Sequence, residues 1–171
     1  GREARKMDRF AQFAIAAAIE ALEGSGLKVD ESNRDRVGIL IGSGIGGVIT
    51  TIEQYQVYQA RGPERVSPFL VPMMISDSAA GNLAIRIGAR GPNMSLATAC
   101  ASGTNALGDA AEMIRRGAAD AMIAGASEAA IHPLVARGER AVVRGQVLAV
   151  VEQGPQGLVG VAVVVLVEIG L

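Results

Sequence analysis

The sequence predicts an α/β fold from three observations. Half of the 171 residues are hydrophobic and only 3% are aromatic, so the core must be built from Ala, Val, Ile, Leu and Met. Twenty-two glycines allow close contact between elements. Short runs that are apolar on both faces alternate with amphipathic helical patterns, as a parallel sheet covered by helices requires. The length fits one domain, or part of a larger one, with a substantial core.

The first half of the chain alternates helix and strand. The segment REARKMDRFAQFAIAAAIEALEGSG predicts a helix that ends at Gly24 and Gly26. RVGILIG predicts a strand that leads into a glycine-rich loop, and VITTIEQYQVYQA predicts the helix that follows. RGPERVSPF predicts a loop, and a further helix at about 72–87 ends at Gly88.

The second half continues the same alternation and then changes character. We expect a strand at MSLATA, a helix from about Ala101 to Arg116, and a strand with its exit loop at DAMIAGASEA. Beyond Val135 the periodicity is weak, and we expect two strands at about 141–151 and 158–169. Both ends of the chain look cut from a longer protein.

Composition and charge exclude several classes of function. Sixteen basic and seventeen acidic residues give a net charge of −1, which supplies no field to attract nucleic acid or an anionic membrane. The most apolar stretch, LVGVAVVVLVEIGL, is shorter than the about 20 residues of a membrane-spanning helix and contains Glu168. A single cysteine and the lack of a signal segment favour the cytoplasm. No residue cluster has metal-ligand spacing, so we expect no metal site.

The glycine-rich loop after the first strand raises two interpretations. Gly42, Gly44 and Gly47 satisfy the G-x-G-x-x-G spacing of a dinucleotide-binding turn. That interpretation also needs a second strand that ends in an acidic residue about 20 positions on. The nearest acid is Glu64, which lies in a predicted loop. We therefore favour close approach of two backbones, or the wall of a ligand tunnel, as the reason for these glycines.

Cys100 is the one cysteine, and it lies between a predicted strand and the predicted helix that follows it. A lone cysteine is commonly a small buried core residue. At a helix N-terminus, however, unpaired N–H groups and the helix dipole favour a thiolate and can hold a developing oxyanion. The small neighbours Ala99, Ala101, Ser102 and Gly103 leave room for a bulky acyl group. The pattern indicates a nucleophile that is acylated.

His132 is the one histidine and the natural base for a Cys–His pair. It precedes a proline in a strand-exit loop, where histidine is more often a surface or packing residue. Both interpretations stay open from the sequence.

Four basic residues follow helical spacing near the start of the chain. They stand at i, i+3, i+4 and i+7 of the first predicted helix: Arg2, Arg5, Lys6 and Arg9. A solvated face explains such a stripe, and so does a docking patch for an acidic protein or a phosphorylated carrier.

Five motifs in order resemble the β-ketoacyl-[acyl carrier protein] synthase II family of bacterial condensing enzymes. They are RKMDRF, IGSGIGG, SPFLVPMMISDSAAGNLAIRIGARGPN, ATACASGTNALG and GASEAAIHPL, and they span about Arg2 to Leu134. The resemblance implies a thiolase-like fold, in which two α/β halves stack in five αβαβα layers and the intact protein is a homodimer. This chain then corresponds to a partial N-terminal half over 1–171, with a mixed sheet covered by helices and a divergent tail at 135–171.

The resemblance also assigns roles to individual residues. Cys100 is the nucleophile that accepts an acyl chain from the phosphopantetheine of acyl carrier protein, with its own N–H in the oxyanion hole. Ile45 and Gly44 line the acyl tunnel, and Ile45 limits chain length. Val71–Met74 approaches the tunnel of the partner subunit.

The carrier-docking surface implied by the resemblance is basic. Its members are Arg2, Arg5, Lys6 and Arg65.

The implied reaction is chain elongation in fatty acid synthesis, by decarboxylative condensation of an acyl-cysteine with malonyl-carrier and without a bound cofactor. The family's two catalytic histidines and supporting lysine belong to the second half, and His132 matches neither histidine. We therefore expect this chain to be inactive in condensation by itself. A thiolase-like coenzyme A acyltransferase and a non-catalytic subunit of the same fold are the alternatives.

Overall fold

The computed structural model describes residues 3–136, 146–153 and 159–166. Over these residues the chain forms helices α1 (Arg9–Ser25), α2 (Val48–Arg61), α3 (Leu70–Met74), α4 (Ser78–Ile87), α5 (Ser102–Arg115) and α6 (Pro133–Ala136), and strands β1 (Val37–Gly42), β2 (Asn93–Met94), β3 (Ala121–Ala126), β4 (Gln146–Gln153) and β5 (Val159–Leu166). The predicted alternation of helices and strands is confirmed.

The strands form one mixed sheet in the order β2-β1-β3-β4-β5. β1 pairs in parallel with both β2 and β3, whereas β4 runs antiparallel to β3 and to β5. β4 and β5 correspond to the two strands predicted near the end of the chain. The outer parts of that prediction, 141–145, 158 and 167–169, lie outside the described residues, as does about half of the tail at 135–171.

Helices cover the sheet on both faces, as the strand composition predicts. On one face, Ile39, Ile41 and Ile123 pack with the alanine-rich side of α1 and with α4. On the other face, Leu40 and Met122 pack against α5. All six residues of β1 are buried because alternate side chains enter two different cores. The result is a three-layer α/β half with its loops gathered at the sheet edges.

The first helix begins later than predicted. Asp8 caps it, with its Oδ1 accepting the N–H of Phe10 at 3.2 Å. The backbone of Met7 is extended, and Arg5 and Lys6 lie before it in a separate 3₁₀ turn, Ala4–Lys6. The prediction of one basic helical stripe is therefore wrong, because the cap separates this turn from Arg9. Arg2 lies outside the described residues.

The helix predicted at about 72–87 is broken into α3 and α4. The interruption falls after Met74, whose carbonyl oxygen accepts the N–H of Gly47 at 2.9 Å. The backbone of Ile75 is then extended. Similarly, of the strand predicted at MSLATA only Met94 lies in a strand, β2, and the residues after it run as loop and a 3₁₀ turn beside the glycine-rich loop. Both differences arise from contacts with that loop, which local sequence does not reveal.

Candidate active site at the carboxyl edge of the parallel strands

Three loops meet where the parallel strands end. The carboxyl ends of parallel strands lie at one edge of a sheet, and this is where α/β proteins place their sites. The loop at 43–47 follows β1, the segment 95–101 follows β2, and the segment 127–131 follows β3. Ser43 donates its N–H to the carbonyl of Leu96 at 3.1 Å, and Ser127 donates its N–H to the carbonyl of Gly42 at 3.0 Å. The three loops therefore form one connected surface.

Cys100 lies on this surface with its thiol free and exposed. It occupies a 3₁₀ turn, Ala99–Ala101, immediately before the first residue of α5. Ala99 has φ of 51°, in the left-handed region that costs a non-glycine residue about 1–2 kcal/mol. The interpretation of Cys100 as a buried core residue is therefore wrong. A sharp, strained turn presents the sulfur at a helix N-terminus, which fits the predicted nucleophile, and that role stays a prediction.

A buried hydroxyl holds this turn. Ser102 Oγ donates to the carbonyl of Ala99 at 2.7 Å and accepts the N–H of Thr98 at 3.0 Å. Asn105 adds a bond from its Nδ2 to Thr98 Oγ1 at 2.9 Å. These contacts join the residues just before Cys100 in the chain to the residues just after it. The sequence predicts only that the small side chain of Ser102 leaves space, and the hydrogen bonds that fix the turn become visible in the fold.

The glycines allow close approach of backbone and side chains. A Cβ on Gly42 would lie 2.9 Å from the Cβ of Ser102, and a Cβ on Gly46, whose φ is +60°, would lie 2.6 Å from the carbonyl oxygen of Met74. A Cβ on Gly47 would collide with the carbonyl oxygen of Met73. The interpretation of close backbone approach is confirmed. It explains these glycines without a dinucleotide.

The loop also brings Ile45 and Gly44 beside the cysteine turn. A Cβ on Gly44 would lie 3.7 Å from the Cα of Ala99 and 3.1 Å from Oε2 of Glu128. Ile45 exposes 53% of its surface although it is a large apolar residue. An exposed isoleucine one residue from Gly44, which lies beside the cysteine turn, fits the predicted acyl-binding role. That role stays a prediction for both residues.

Glu128 was missed by sequence reasoning. Its Oε2 accepts the N–H of Ile45 at 3.0 Å and the hydroxyl of Ser43 at 3.3 Å. Burial raises the pKa of this carboxyl, and the N–H groups of Ile45 and Gly44 partly oppose that shift. The signal that could have found it is an acidic residue two positions after a buried strand whose carboxyl end lies at the site.

His132 is half-buried and makes a local contact. Its Nδ1 accepts the N–H of Leu134 at 3.1 Å, and in the described part of the chain no hydrogen bond joins it to Cys100.

Over residues 3–136, 146–153 and 159–166, no group of three or more His, Cys, Asp or Glu side chains is placed to hold a metal ion. Nor does any helix in these ranges have the length and apolar character to cross a membrane.

The predicted docking residues inside the described ranges are exposed. Arg5 and Lys6 lie on the N-terminal turn, and Arg65 lies on the 3₁₀ turn Pro63–Arg65. Lys6 Nζ is 4.9 Å from the centroid of the Phe69 ring, so the N-terminal turn lies against the segment that follows Arg65. The fold thus brings the two basic segments together, although they are about sixty residues apart in sequence. Their role in docking stays a prediction.

Comparison with known sequences identifies relatives over most of the chain. Residues 1–144 match the family model "Beta-ketoacyl synthase, N-terminal domain". The 3-oxoacyl-[acyl-carrier-protein] synthase 2 of Staphylococcus aureus is 50% identical over 137 residues, which are 80% of this chain and 34% of that protein. Its counterpart from Synechocystis sp. is 48% identical over 133 residues, 78% of this chain and 32% of that protein. The chain therefore spans about a third of the length of these curated relatives.

Solved structures give the same result. A ketosynthase complex, described as a type II polyketide synthase acyl-carrier protein with its ketosynthase bound to the hexaketide, matches with a TM-score of 0.74 and 32% identity over 79% of this chain and 38% of that one. A β-ketoacyl synthase from Burkholderia phymatum matches with a TM-score of 0.67 and 31% identity over 80% of this chain and 34% of that one. The predicted thiolase-like α/β fold is confirmed. By sequence and by structure, this chain belongs to the β-ketoacyl synthase family and matches its N-terminal domain.

Proposed function

We propose that the protein containing this chain is a 3-oxoacyl-[acyl carrier protein] synthase that elongates fatty acyl chains by decarboxylative condensation. The observation that carries the proposal is the exposed thiol of Cys100 on a strained turn at the N-terminus of α5. The relatives named synthase 2 support the substrate class.

In the first step, the Cys100 thiolate attacks the carbonyl carbon of an acyl thioester. A new carbon–sulfur bond forms, and the bond to the phosphopantetheine sulfur of the carrier breaks, so that the carrier leaves as a thiolate and takes up a proton. The positive end of the α5 dipole favours the anionic sulfur, and the resemblance places the N–H of Cys100 in the oxyanion hole, where it stabilises the intermediate. Ser102 keeps the turn in the shape that presents the sulfur.

In the second step, malonyl-carrier loses carbon dioxide and its carbanion attacks the acyl carbon. The carbon–carbon bond forms as the bond to Cys100 Sγ breaks, which returns the thiolate. The developing negative charge on the malonyl thioester needs positioned donors, whose removal costs about 3–4 kcal/mol each. The resemblance assigns those donors to two histidines of the second half. This chain has one histidine, His132, and its Nδ1 accepts the N–H of Leu134.

We propose acyl carrier protein as the partner and, as its docking surface, two basic turns, one with Arg5 and Lys6 and the other with Arg65. A ketosynthase neighbour in complex with its acyl-carrier protein supports this choice. The acyl group arrives on the carrier's phosphopantetheine, so the reaction needs no cofactor of its own. We further propose a homodimer in the intact protein and a cytoplasmic location, where the single thiol stays reduced.

The test is incubation of the purified chain with acyl-carrier and malonyl-carrier, followed by mass spectrometry. We expect an acyl adduct on Cys100 and no elongated β-ketoacyl product. Cys100→Ala removes the one thiol and should abolish the adduct. A wild-type chain that takes no acyl group would contradict the proposal, and elongated product lost in Cys100→Ala would return His132 to consideration as a catalytic residue.

A further inference from the structure

One carboxylate connects the loop after β3 with the loop after β1. Glu128 Oε2 accepts the backbone N–H of Ile45 at 3.0 Å and the hydroxyl of Ser43 at 3.3 Å. Ser43 Oγ in turn accepts the N–H of Gly46 at 3.0 Å. The carboxylate therefore binds the glycine-rich loop at its start and at its centre, and Ser43 extends that hold to Gly46.

The opposite side of the loop is fixed by backbone. Gly47 donates its N–H to the carbonyl of Met74 at 2.9 Å, and Gly46 packs against the same carbonyl with no room for a Cβ. The glycine-rich loop is therefore bound on one side by the backbone of α3 and on the other side by the carboxylate of Glu128. Between these two supports, the main chain of Ile45 has little freedom, whereas its side chain is exposed.

The same carboxylate lies close to the nucleophile. Oε2 of Glu128 is 3.1 Å from the place where a Cβ on Gly44 would stand, and that place is 3.7 Å from the Cα of Ala99. Gly44 therefore lies between Glu128 and the turn that carries Cys100. A shift of the loop would change the distance between Ile45 and the cysteine turn.

From these contacts we propose that Glu128 is a positioning residue for acyl-chain length: it holds the backbone of Ile45 at a fixed place next to Gly44, which lies beside the turn that carries Cys100. The proposal rests on the proposed function, since it concerns the acyl group that Cys100 accepts. Glu128 acts through Ile45 and makes no bond in the reaction. An apolar residue at 128 would leave the Ile45 N–H without its acceptor, so we expect the loop to loosen and the length limit to relax.

The test compares Glu128→Ala and Glu128→Asp with Glu128→Gln. Alanine removes the acceptor, aspartate is one methylene too short to reach, and glutamine keeps an oxygen that can accept the N–H of Ile45. We expect amide exchange at 44–46 to rise at least about tenfold in the first two variants, because a charge-assisted hydrogen bond is lost. Exchange in β1 and β3 should stay protected, which shows that the fold persists.

The second measurement is the ratio of Cys100 acylation rates for a long and a medium acyl-carrier. This ratio should move several-fold toward longer chains in Glu128→Ala and Glu128→Asp and return toward wild type in Glu128→Gln. Glu23→Ala, an exposed change in the last turns of α1, is the matched control and should alter neither measurement. Unchanged exchange at 44–46, or raised exchange with an unchanged ratio, would overturn the proposal. A wild-type chain that accepts no acyl group would refute the proposed function and the length role with it, while the exchange data would still decide whether Glu128 holds the loop.

Discussion

The carboxylate of Asp8 joins the N-termini of two helices that are distant in sequence: its Oδ2 accepts the N–H of Thr50 in α2 at 3.0 Å, while its Oδ1 caps α1. Asp8 is 2% exposed. One buried carboxylate therefore accepts an otherwise unpaired N–H from each helix and lies at the positive end of both helix dipoles. The contact fixes the N-terminal turn, with Arg5 and Lys6, relative to the helix that follows the glycine-rich loop.

Asp8→Ala should lower the free energy of unfolding by about 2–3 kcal/mol, since two caps are lost and buried N–H groups stay unpaired. Asp8→Asn keeps an oxygen for one of the two donors and should cost less. Asp109→Ala, an exposed aspartate on α5, is the control and should stay within about 0.5 kcal/mol of wild type. Urea denaturation measures all three. Equal stability of Asp8→Ala and wild type would show that the double cap contributes nothing.

Ser102→Ala should slow acylation of Cys100 about tenfold, because the turn loses the hydroxyl that holds Ala99 in its strained conformation. The loss should appear in kcat for acylation with KM for the acyl-carrier unchanged, since Ser102 contacts the turn and not the carrier. Thr104→Ala, two residues further along the same helix and exposed, is the control. A change in KM alone would count against a positioning role for Ser102.

Ile45→Phe should shorten the longest acyl chain that reaches Cys100, because the larger ring occupies the space beside the nucleophile. Ile85→Phe on α4 introduces the same change at a residue that is 83% exposed and should leave the profile unchanged. The measurement is the set of acyl adducts formed from carriers loaded with chains of graded length. An identical set for Ile45→Phe and wild type would place the acyl group away from the glycine-rich loop.

Lys6→Ala should raise KM for the acyl-carrier several-fold with kcat unchanged, because it removes a positive charge and the contact with Phe69 from the docking surface. Lys28→Ala removes the other lysine, which is exposed after α1, and serves as the control. The difference between the two variants should shrink as salt increases. Matching values of KM for both variants at low salt would argue against docking at the N-terminal turn.

Most helices and strands of the described chain could be predicted from the sequence, because the residues that determine them are neighbours in the chain. The buried runs of β1 and β3 and the glycine after α4 predict their elements directly. The signal at Cys100 is equally local, since the small residues around it and the predicted helix after it are neighbours in the sequence. The sequence therefore predicts the order of elements and the position of the exposed thiol, while the role of that thiol as nucleophile stays a prediction.

Two of the features that were missed depend on contacts between distant segments. The break before α4 falls at Met74, whose carbonyl oxygen accepts the N–H of Gly47. The fold also brings Glu128 to Ile45, which lies 83 residues away in the chain. The late start of α1 is a local feature, because Asp8 caps the helix through the N–H of Phe10 where periodicity alone predicts that the helix continues.

The exposure of Cys100 as the one thiol of the chain has a practical consequence. Each thioester formed at this sulfur consumes one thiol on the chain and releases one on the carrier, so a chromogenic thiol reagent counts vacant sites, without a labelled substrate, once the chain has been separated from the carrier. The stoichiometry of acyl transfer is then the difference between the absorbance of the separated chain before and after incubation with the acyl-carrier. A protein with a second accessible cysteine would need that background removed by mutation first.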